Sequence, residues 1–302
     1  MSSQIANPYA VSGQWRKAQL HCHTTESDGQ ITPRDLLQMY REAGYSFVCI
    51  TDHNRVTRCE DFNDAEFLAL PGTEDTVVRW LPPLGPHMIR LLVDEPLRSG
   101  TAQERIDRTR ASDGIVSLCH PSWNGNLWTG AWQIGAVLAL RGFHLFEVCN
   151  PHSNMDEDTR RWTAAVQAHG AESPVWAVAV DDCHHRDQSN RGWIMLKTSA
   201  VSAEAFRQAL LNGAFYATTG PDAAFAVADQ TISVNLSNGG RIRFVDLLGR
   251  IVSEANGASA TYKPGGKEGA VRIDVTSPAG RLWSQPFWIT NARETRHQTA
   301  VP

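Results

Sequence analysis

The chain has 302 residues, of which 42% are hydrophobic, and its 28 Lys and Arg against 32 Asp and Glu give a formal net charge of -4. No basic run indicates a nucleic-acid track, and no apolar run is long enough to span a bilayer. This length predicts one large domain plus a smaller one. The N-terminal residues contain no signal-peptide core, so a cytoplasmic protein is expected. The six cysteines form no Cys-x-x-Cys pair and are interpreted as reduced core residues.

The first element is a short strand predicted over residues 16–20, which is followed by His21 and His23. Alternate residues of an extended chain point to one side, so the two imidazoles can share a metal ion. Asp28 lies just beyond and adds a hard anionic oxygen. This stretch is therefore the first candidate for a metal site.

A helix and a second strand follow. Thr32 and Pro33 are typical of a helix start, and Gly44 is typical of its end. The β-branched and aromatic segment 45–50 predicts a strand, and His53 follows it. Both strands of this βαβ unit thus lead into residues of metal-ligand type.

The alternation of strands and helices then continues. Strands are predicted at 67–70, 88–93, 115–118, 143–148 and 176–180, with helices at 102–112, 156–168 and 203–211. Polar residues follow or flank most of these strands. Because the carboxyl ends of parallel strands meet on one face, the pattern predicts a parallel α/β barrel with its site on that face.

The sequence changes character near residues 213–221. Short alternating segments follow at 231–236, 241–246, 271–275 and 282–289, separated by Asn238-Gly239 and by segments 264–266 and 278–280. This pattern predicts a small antiparallel β module resembling a sandwich. The predicted division is 1–220 for the barrel and 221–302 for the module.

Imidazoles and carboxylates make up the set of candidate ligands, which contains no thiolate. The set is His21, His23, Asp28, His53, Glu74, His87, His120, Asp182 and His184. Such donors suit two or three divalent ions such as Zn²⁺, Mn²⁺ or Fe²⁺, and Glu74 can bridge two of them. Structural alternatives stay open, since Asp28 also suits a turn and Glu74 a cap. His144 and Glu147 lie three apart on one strand and are left out, as is His169.

The motifs that contain these residues resemble the PHP (polymerase and histidinol phosphatase) superfamily of metal-dependent hydrolases. They are Leu-His-Cys-His-Thr with Ser-Asp-Gly, Ile-Thr-Asp-His-Asn, Gly-Thr-Glu, Cys-His-Pro and Asp-Asp-Cys-His-His, in this order. Segment 212–221 resembles the junction to a C-terminal β domain in a branch that includes carbaryl-hydrolase-like metallohydrolases and phosphoesterases. The resemblance implies a distorted (β/α)7-type barrel with a small C-terminal antiparallel β domain.

The resemblance also implies which residues hold which ion. His21, His23, Asp182 and the bridging Glu74 would hold the first ion, and Asp28, His53 and His184 the second. Glu74, His87 and His120 would hold the third. Asp182, His53 and Glu74 are the predicted catalytic residues.

Hydrolysis of a small, nucleotide-like phosphomono- or diester is the leading functional hypothesis, with a hydroxide bridging the first two ions as nucleophile. Asn54, Arg55, His185 and Arg191, with His152, are candidates for binding the phosphate or protonating the leaving group. No membrane or long nucleic-acid partner is expected, and the oligomeric state is open.

Two other functions remain open. The same ions could cleave a carbamate or carboxylic ester, and Trp80, Trp123, Trp128 and Trp132 could then form an apolar pocket. The third hypothesis is a non-catalytic, metal-stabilised binding protein. The complete set of candidate ligands disfavours this hypothesis.

Overall fold

The computed structural model describes residues 3–77 and 84–291 of the chain. The strands are β1 (Ser3–Ala6), β2 (Gln14–Gln19), β3 (Tyr45–Ile50), β4 (Leu68–Thr76), β5 (His87–Leu91), β6 (Ile115–Leu118), β7 (Leu145–Cys149), β8 (Trp176–Ala179), β9 (Trp193–Thr198), β10 (Phe215–Thr218), β11 (Ala223–Ala228), β12 (Thr231–Asp246), β13 (Ile251–Tyr262), β14 (Ala270–Ser277), β15 (Gly280–Trp283) and β16 (Phe287–Asn291). The helices are α1 (Pro33–Glu42), α2 (Ala102–Ala111), the single turn α3 (Gly125–Trp128), α4 (Ile134–Ala139), α5 (Met155–His169) and α6 (Ala203–Leu211). The predicted α/β class is confirmed.

Local sequence signals account for the helix boundaries. Thr32 accepts a hydrogen bond from the Asp35 amide and caps α1, as predicted, with Pro33 in its first turn. Ser202 caps α6 in the same way. Leu36 and Tyr40 of α1 are fully buried in the core that this helix shares with β3. Burial of such side chains contributes roughly 1.5–3 kcal/mol each, which fixes the helix against the sheet.

The strands form one mixed sheet in which the barrel-type strands follow the order β9, β2, β3, β4, β5, β6, β7, β8. The β2, β3 and β4 strands are parallel, as are β6, β7 and β8. The expectation of a fully parallel arrangement is wrong for β5, which is antiparallel to both neighbours. His87 is the first residue of β5. It therefore lies at the same edge of the sheet as the carboxyl ends of β4 and β6.

The ladder between strands does not close into a ring in the described part of the chain. At the carboxyl ends of β2 and β8, however, Cys22 and Cys183 form an isolated parallel bridge. The Asp182 amide donates to the His21 carbonyl at 3.1 Å, and the His23 amide donates to the Cys183 carbonyl at 2.9 Å. The segments that follow β2 and β8, two strands that are not neighbours in the sheet order, therefore meet at the end that carries the candidate ligands.

The C-terminal strands differ from the prediction at several points, since β11 has no predicted counterpart and the predicted segment 282–289 is divided between β15 and β16. The predicted turn at Asn238-Gly239 is wrong, because both residues lie within the 16-residue strand β12, where its pairing with β13 shifts register between Asn235 and Gly240. Strand β13 itself was not predicted. The division of the chain at residue 220 remains a prediction, since β10 pairs with both β9 and β15 and continues the sheet across it.

Within the described ranges, no helix combines the length and apolar character needed to span a membrane.

Candidate metal centre

A cavity of about 320 Å³ opens where the strands of the barrel region end. Seven of the nine predicted ligands line it, together with Trp123, Asn126 and His152. His21 and His23, the remaining two predicted ligands, lie fully buried beside it. The structure thus brings all nine residues to one place, although they are spread from residue 21 to residue 184.

Four ligand atoms converge in the first cluster, which contains His21, His23, Glu74 and Asp182. Nε2 of His21 and Nε2 of His23 are 3.1 Å apart, and each is 3.2 Å from Oδ1 of Asp182. Oε2 of Glu74 is 3.4 Å and 3.1 Å from the same two nitrogens. Donor atoms bound at about 2.0 Å to one tetrahedral ion lie about 3.3 Å apart, so these spacings suit an ion such as Zn²⁺.

The polar atoms of this cluster are poorly satisfied by the protein itself. Oδ1 of Asp182 and Nδ1 of His23 are buried without a hydrogen bond. The two facing Nε2 atoms each lie beside carboxylate oxygens as well as beside one another. Buried atoms of this kind normally have partners, and a divalent cation fits the donor set.

The carboxylates and imidazoles also shift each other's pKa values. Burial acts to raise the pKa of Glu74, but the surrounding imidazoles outweigh burial and hold it well below its usual range. Burial acts to lower the pKa of His23, but the carboxylates of Asp182 and Glu74 close to its Nε2 raise it to about 9. Without a cation, protons therefore occupy the positions at which a metal ion would compensate the carboxylates.

The second cluster contains Asp28, His53 and His184 and adjoins His23. Oδ2 of Asp28 lies 3.3 Å from Nε2 of His53, and its Oδ1 lies 3.5 Å from Nε2 of His184 and from Nδ1 of His23. The Asp28 side chain is 52% exposed, in contrast to the first cluster. These atoms form a candidate cation site that is open to the cavity.

Glu74 connects the first cluster to a third. Its Oε2 faces His21 and His23, and it also lies 3.1 Å from Nδ1 of His53. Its Oε1 lies 2.8 Å from both Nδ1 of His87 and Nε2 of His120. Burial lowers the pKa of His87, which favours the neutral imidazole that a metal requires. The two oxygens of Glu74 therefore point to two different sets of imidazoles, as a bridging carboxylate would.

Backbone strain accompanies two of these side chains. His120 has φ 28° and Asp182 has φ 46°, values that residues other than glycine rarely adopt. Strain of this kind costs of order 1–3 kcal/mol per residue and persists where surrounding contacts enforce it. His120 lies two residues after the end of β6 and Asp182 three residues after the end of β8, and both line the cavity.

Aspartates adjacent to the candidate ligands organise the loops. Asp52 accepts hydrogen bonds from the Thr24 amide and hydroxyl and from Ser27, each at 2.7 Å, and a further one from Thr57. Asp181 accepts three from the amides of residues 190–192 and one from Tyr40. These carboxylates are saturated by protein donors, so they fix the loops and leave metal binding to their neighbours.

The four residues predicted to bind substrate do not line the cavity. Asn54 is engaged with Thr76 through two hydrogen bonds, and Arg55 pairs with Glu26. Arg191 is exposed and donates to the Asp187 carbonyl, while His185 is half-buried beside a 3₁₀ turn. His152, considered with them, does line the cavity.

The tryptophans predicted to form an apolar pocket also differ in whether they line the cavity. Trp123 lines the cavity, with its ring 4.8 Å from that of His120. Trp128 is 84% exposed, and Trp132 is buried and donates to the His87 carbonyl. Trp80 lies outside the described residues.

Sequence reasoning missed three residues at this site. Asn126 donates to Nε2 of His87 at 3.0 Å, and Glu147 and Asn150 lie in the wall behind the first cluster. Glu147 is a carboxylate within the apolar strand β7, and a buried charge in such a strand is the signal that could have revealed it.

The fold and these clusters define an α/β protein with a candidate multinuclear metal site. The family model described as PHP domain matches residues 19–69, which contain His21, His23, Asp28 and His53. Residues 19–69 therefore match the family that the motifs of the chain resemble. The comparisons do not distinguish the carbaryl-hydrolase-like branch.

Two solved structures are similar to this chain to different degrees. A two-domain protein from Bacteroides vulgatus, described as containing a predicted PHP-like metal-dependent phosphoesterase, has a TM-score of 0.53 at 15% identity and covers 95% of this chain and 99% of its own. An amidohydrolase from Chromobacterium violaceum reaches a TM-score of 0.39 at 13% identity, with 55% and 87% covered. The first likeness shows the fold across nearly the whole chain. No curated protein matches the chain significantly.

Proposed function

We propose that this chain is a metal-dependent hydrolase and that it cleaves a small phosphomono- or diester. The observation that supports this most is the position of Glu74, whose two oxygens face two sets of imidazoles beside one cavity. A site for a single structural zinc ion is closed and needs no such sharing. Adjacent ions beside an accessible cavity are typical of hydrolases.

In this proposal three ions are held by the nine residues. The first is held by His21, His23, Glu74 and Asp182, the second by Asp28, His53 and His184, and the third by Glu74, His87 and His120. When bound, the ions supply Lewis acidity and lower the pKa of coordinated water toward about 7.

The chain's own residues prepare this site. Glu74 would hold the first and third ions and Asp182 the first, and His53 presents its imidazole to the cavity between Asp28 and Glu74. The saturated aspartates keep the loops in place, which limits reorganisation when substrate binds. His152 is the described cavity residue best placed to contact the leaving group, since its ring lies at the mouth beside His184.

The loop that follows β6 favours a second candidate function, hydrolysis of a carbamate or carboxylic ester. Trp123 lines the cavity, and the adjacent Leu127 and Trp128 are 79% and 84% exposed. Exposed apolar side chains beside a cavity are suited to a planar apolar leaving group. Such a leaving group also occurs in aryl phosphoesters, so the loop alone does not separate the two substrates.

The test is activity of the metal-loaded protein on four kinds of substrate. Protein loaded with Mn²⁺ or Zn²⁺ is assayed on p-nitrophenyl phosphate, bis-p-nitrophenyl phosphate, nucleotides and 1-naphthyl methylcarbamate. Asp182→Ala should abolish turnover, whereas the matched control Asp187→Ala, at an exposed position, should keep it. Absence of metal-dependent turnover on every substrate would contradict the enzyme proposal. Turnover of the carbamate alone would establish the second candidate in place of the first.

A further inference from the structure

We propose that Glu147 and Asn150 form a positioning pair that fixes the ligands of the first and third ion sites relative to each other. The inference rests on the proposed function because it takes His21, His120 and Asp182 as ligands. Neither member of the pair contacts the cavity, so the pair acts through the ligands that it orients.

Glu147 uses both carboxylate oxygens on residues of two different sites. Nδ1 of His21 donates to its Oε1 at 2.8 Å, and the backbone amide of His120 donates to its Oε2 at 2.7 Å. The Glu147 residue is 1% exposed, so both bonds lie in a medium that excludes water. One buried carboxylate therefore joins a side chain of the first site to the backbone of the third.

Asn150 extends this connection to the segment that follows the neighbouring strand β8. Its Nδ2 donates to Oε2 of Glu147 at 2.9 Å and to Oδ2 of Asp182 at 3.1 Å. Its Oδ1 accepts from the His152 amide at 2.8 Å. Asn150 is also 1% exposed. Because Oδ2 of Asp182 is held in this way, Oδ1 is the oxygen that turns toward the two imidazoles.

Two physical consequences follow for the ligands. A carboxylate that accepts from Nδ1 of His21 fixes the tautomer whose Nε2 lone pair points into the first cluster. The bond to the His120 amide stabilises a residue held at φ 28°, where the backbone is strained. Glu147 thus sets the ring orientation of one ligand and the backbone position of another.

The decisive substitution is Glu147→Gln, which keeps the shape of the side chain. A glutamine has one carbonyl oxygen and one amino group, so it cannot accept from both His21 and His120. Asn150→Ala removes the contact to Asp182 and leaves the bond between Glu147 and His21. The matched control is Asp158→Asn, a buried carboxylate in α5 that is bonded to Ser153 and touches no candidate ligand in the described structure.

The experiment measures ion binding to the full chain directly. Each protein is stripped with a chelator and titrated with Zn²⁺ against a competing indicator, and Tm is recorded with and without metal. We expect Glu147→Gln to weaken affinity about 10–100-fold at two ions per chain, and Asn150→Ala to weaken it at one. A role confined to fold stability would lower Tm of the stripped and loaded proteins equally, whereas a positioning role reduces the Tm increase that metal causes.

The outcomes separate this inference from the proposed function. Equal affinity and an equal metal-induced increase in Tm for the unsubstituted protein and Glu147→Gln would overturn the positioning role alone. Absence of Zn²⁺ binding by the unsubstituted protein would overturn the proposed function and this inference together. If Glu147→Gln does not fold, Asn150→Ala decides, because retention of full affinity at every ion would contradict the pair.

Discussion

Substitution of Asp52 by asparagine should destabilise the protein, although Asp52 is not itself a candidate ligand. This buried carboxylate accepts four hydrogen bonds, from Thr24, Ser27 and Thr57. The segment that these bonds hold leads directly to Asp28. Asparagine would keep the size of the side chain but replace one charged acceptor oxygen by an amino group.

The expected magnitude follows from the number of bonds. A hydrogen bond to a charged group contributes about 1.5–3 kcal/mol, against about 0.5–1.5 for a neutral one, so four bonds lose roughly 4 kcal/mol. The amide is cheaper to bury than the carboxylate, which offsets part of this loss. We therefore expect Asp52→Asn to lower the free energy of unfolding by about 2–3 kcal/mol.

Urea denaturation of the chelator-treated protein at neutral pH measures this change. The control is Asp61→Asn, whose carboxylate is 70% exposed and pairs with Arg34, and which should change stability by less than about 0.5 kcal/mol. An Asp52→Asn protein whose stability equals that of this control would refute the account of Asp52 as an organiser of the loop.

Three further predictions concern pH, metal removal and the exposed loop. Burial raises the pKa of Asp158 to about 6, so the contribution of this group to stability falls as pH rises from about 4 to 6. In urea denaturation, Asp158→Asn should therefore leave the free energy of unfolding unchanged at pH 4 and increase it by roughly 2–3 kcal/mol at pH 7. Equal effects at both values of pH would contradict it. Chelation should lower Tm by roughly 5 °C, because an ion at a hundredfold excess over Kd stabilises by about 2.7 kcal/mol; an unchanged Tm would argue against bound metal. Trp128→Ala should leave Tm unchanged and raise KM for 1-naphthyl substrates about fivefold, and an unchanged KM would exclude the loop from binding.

The positions of the candidate ligands could be predicted because each follows from a local signal. His53 and His120 come shortly after strands whose β-branched or apolar residues are plain in the sequence. Strands β3 and β6 have the predicted bounds, and parallel strands necessarily end on a common edge. The prediction of β5 as parallel failed because strand direction depends on which neighbours it pairs with, and pairing is not a local property.

The residues that were missed depend on tertiary contacts. Glu147 was left out as a ligand because its spacing from His144 placed the two residues on opposite faces of the strand. Packing against other elements decides which of the two faces meets the cavity. His144 instead accepts from the Val116 amide on the far side. Strand β13 was missed because it pairs only with β12 among the described strands and is largely exposed, so it lacks the apolar alternation of a buried strand.

The bridge between Cys22 and Cys183 gives the candidate ions a mechanical role as well as a chemical one. The two strands meet only over the short segment that carries His21, His23 and Asp182. An ion held by these residues would act as a cross-link between segments that are remote along the chain, in the manner of a disulfide. The seam between β2 and β8 should then exchange its amide hydrogens quickly in the stripped protein and slowly in the loaded one, while the rest of the sheet changes little.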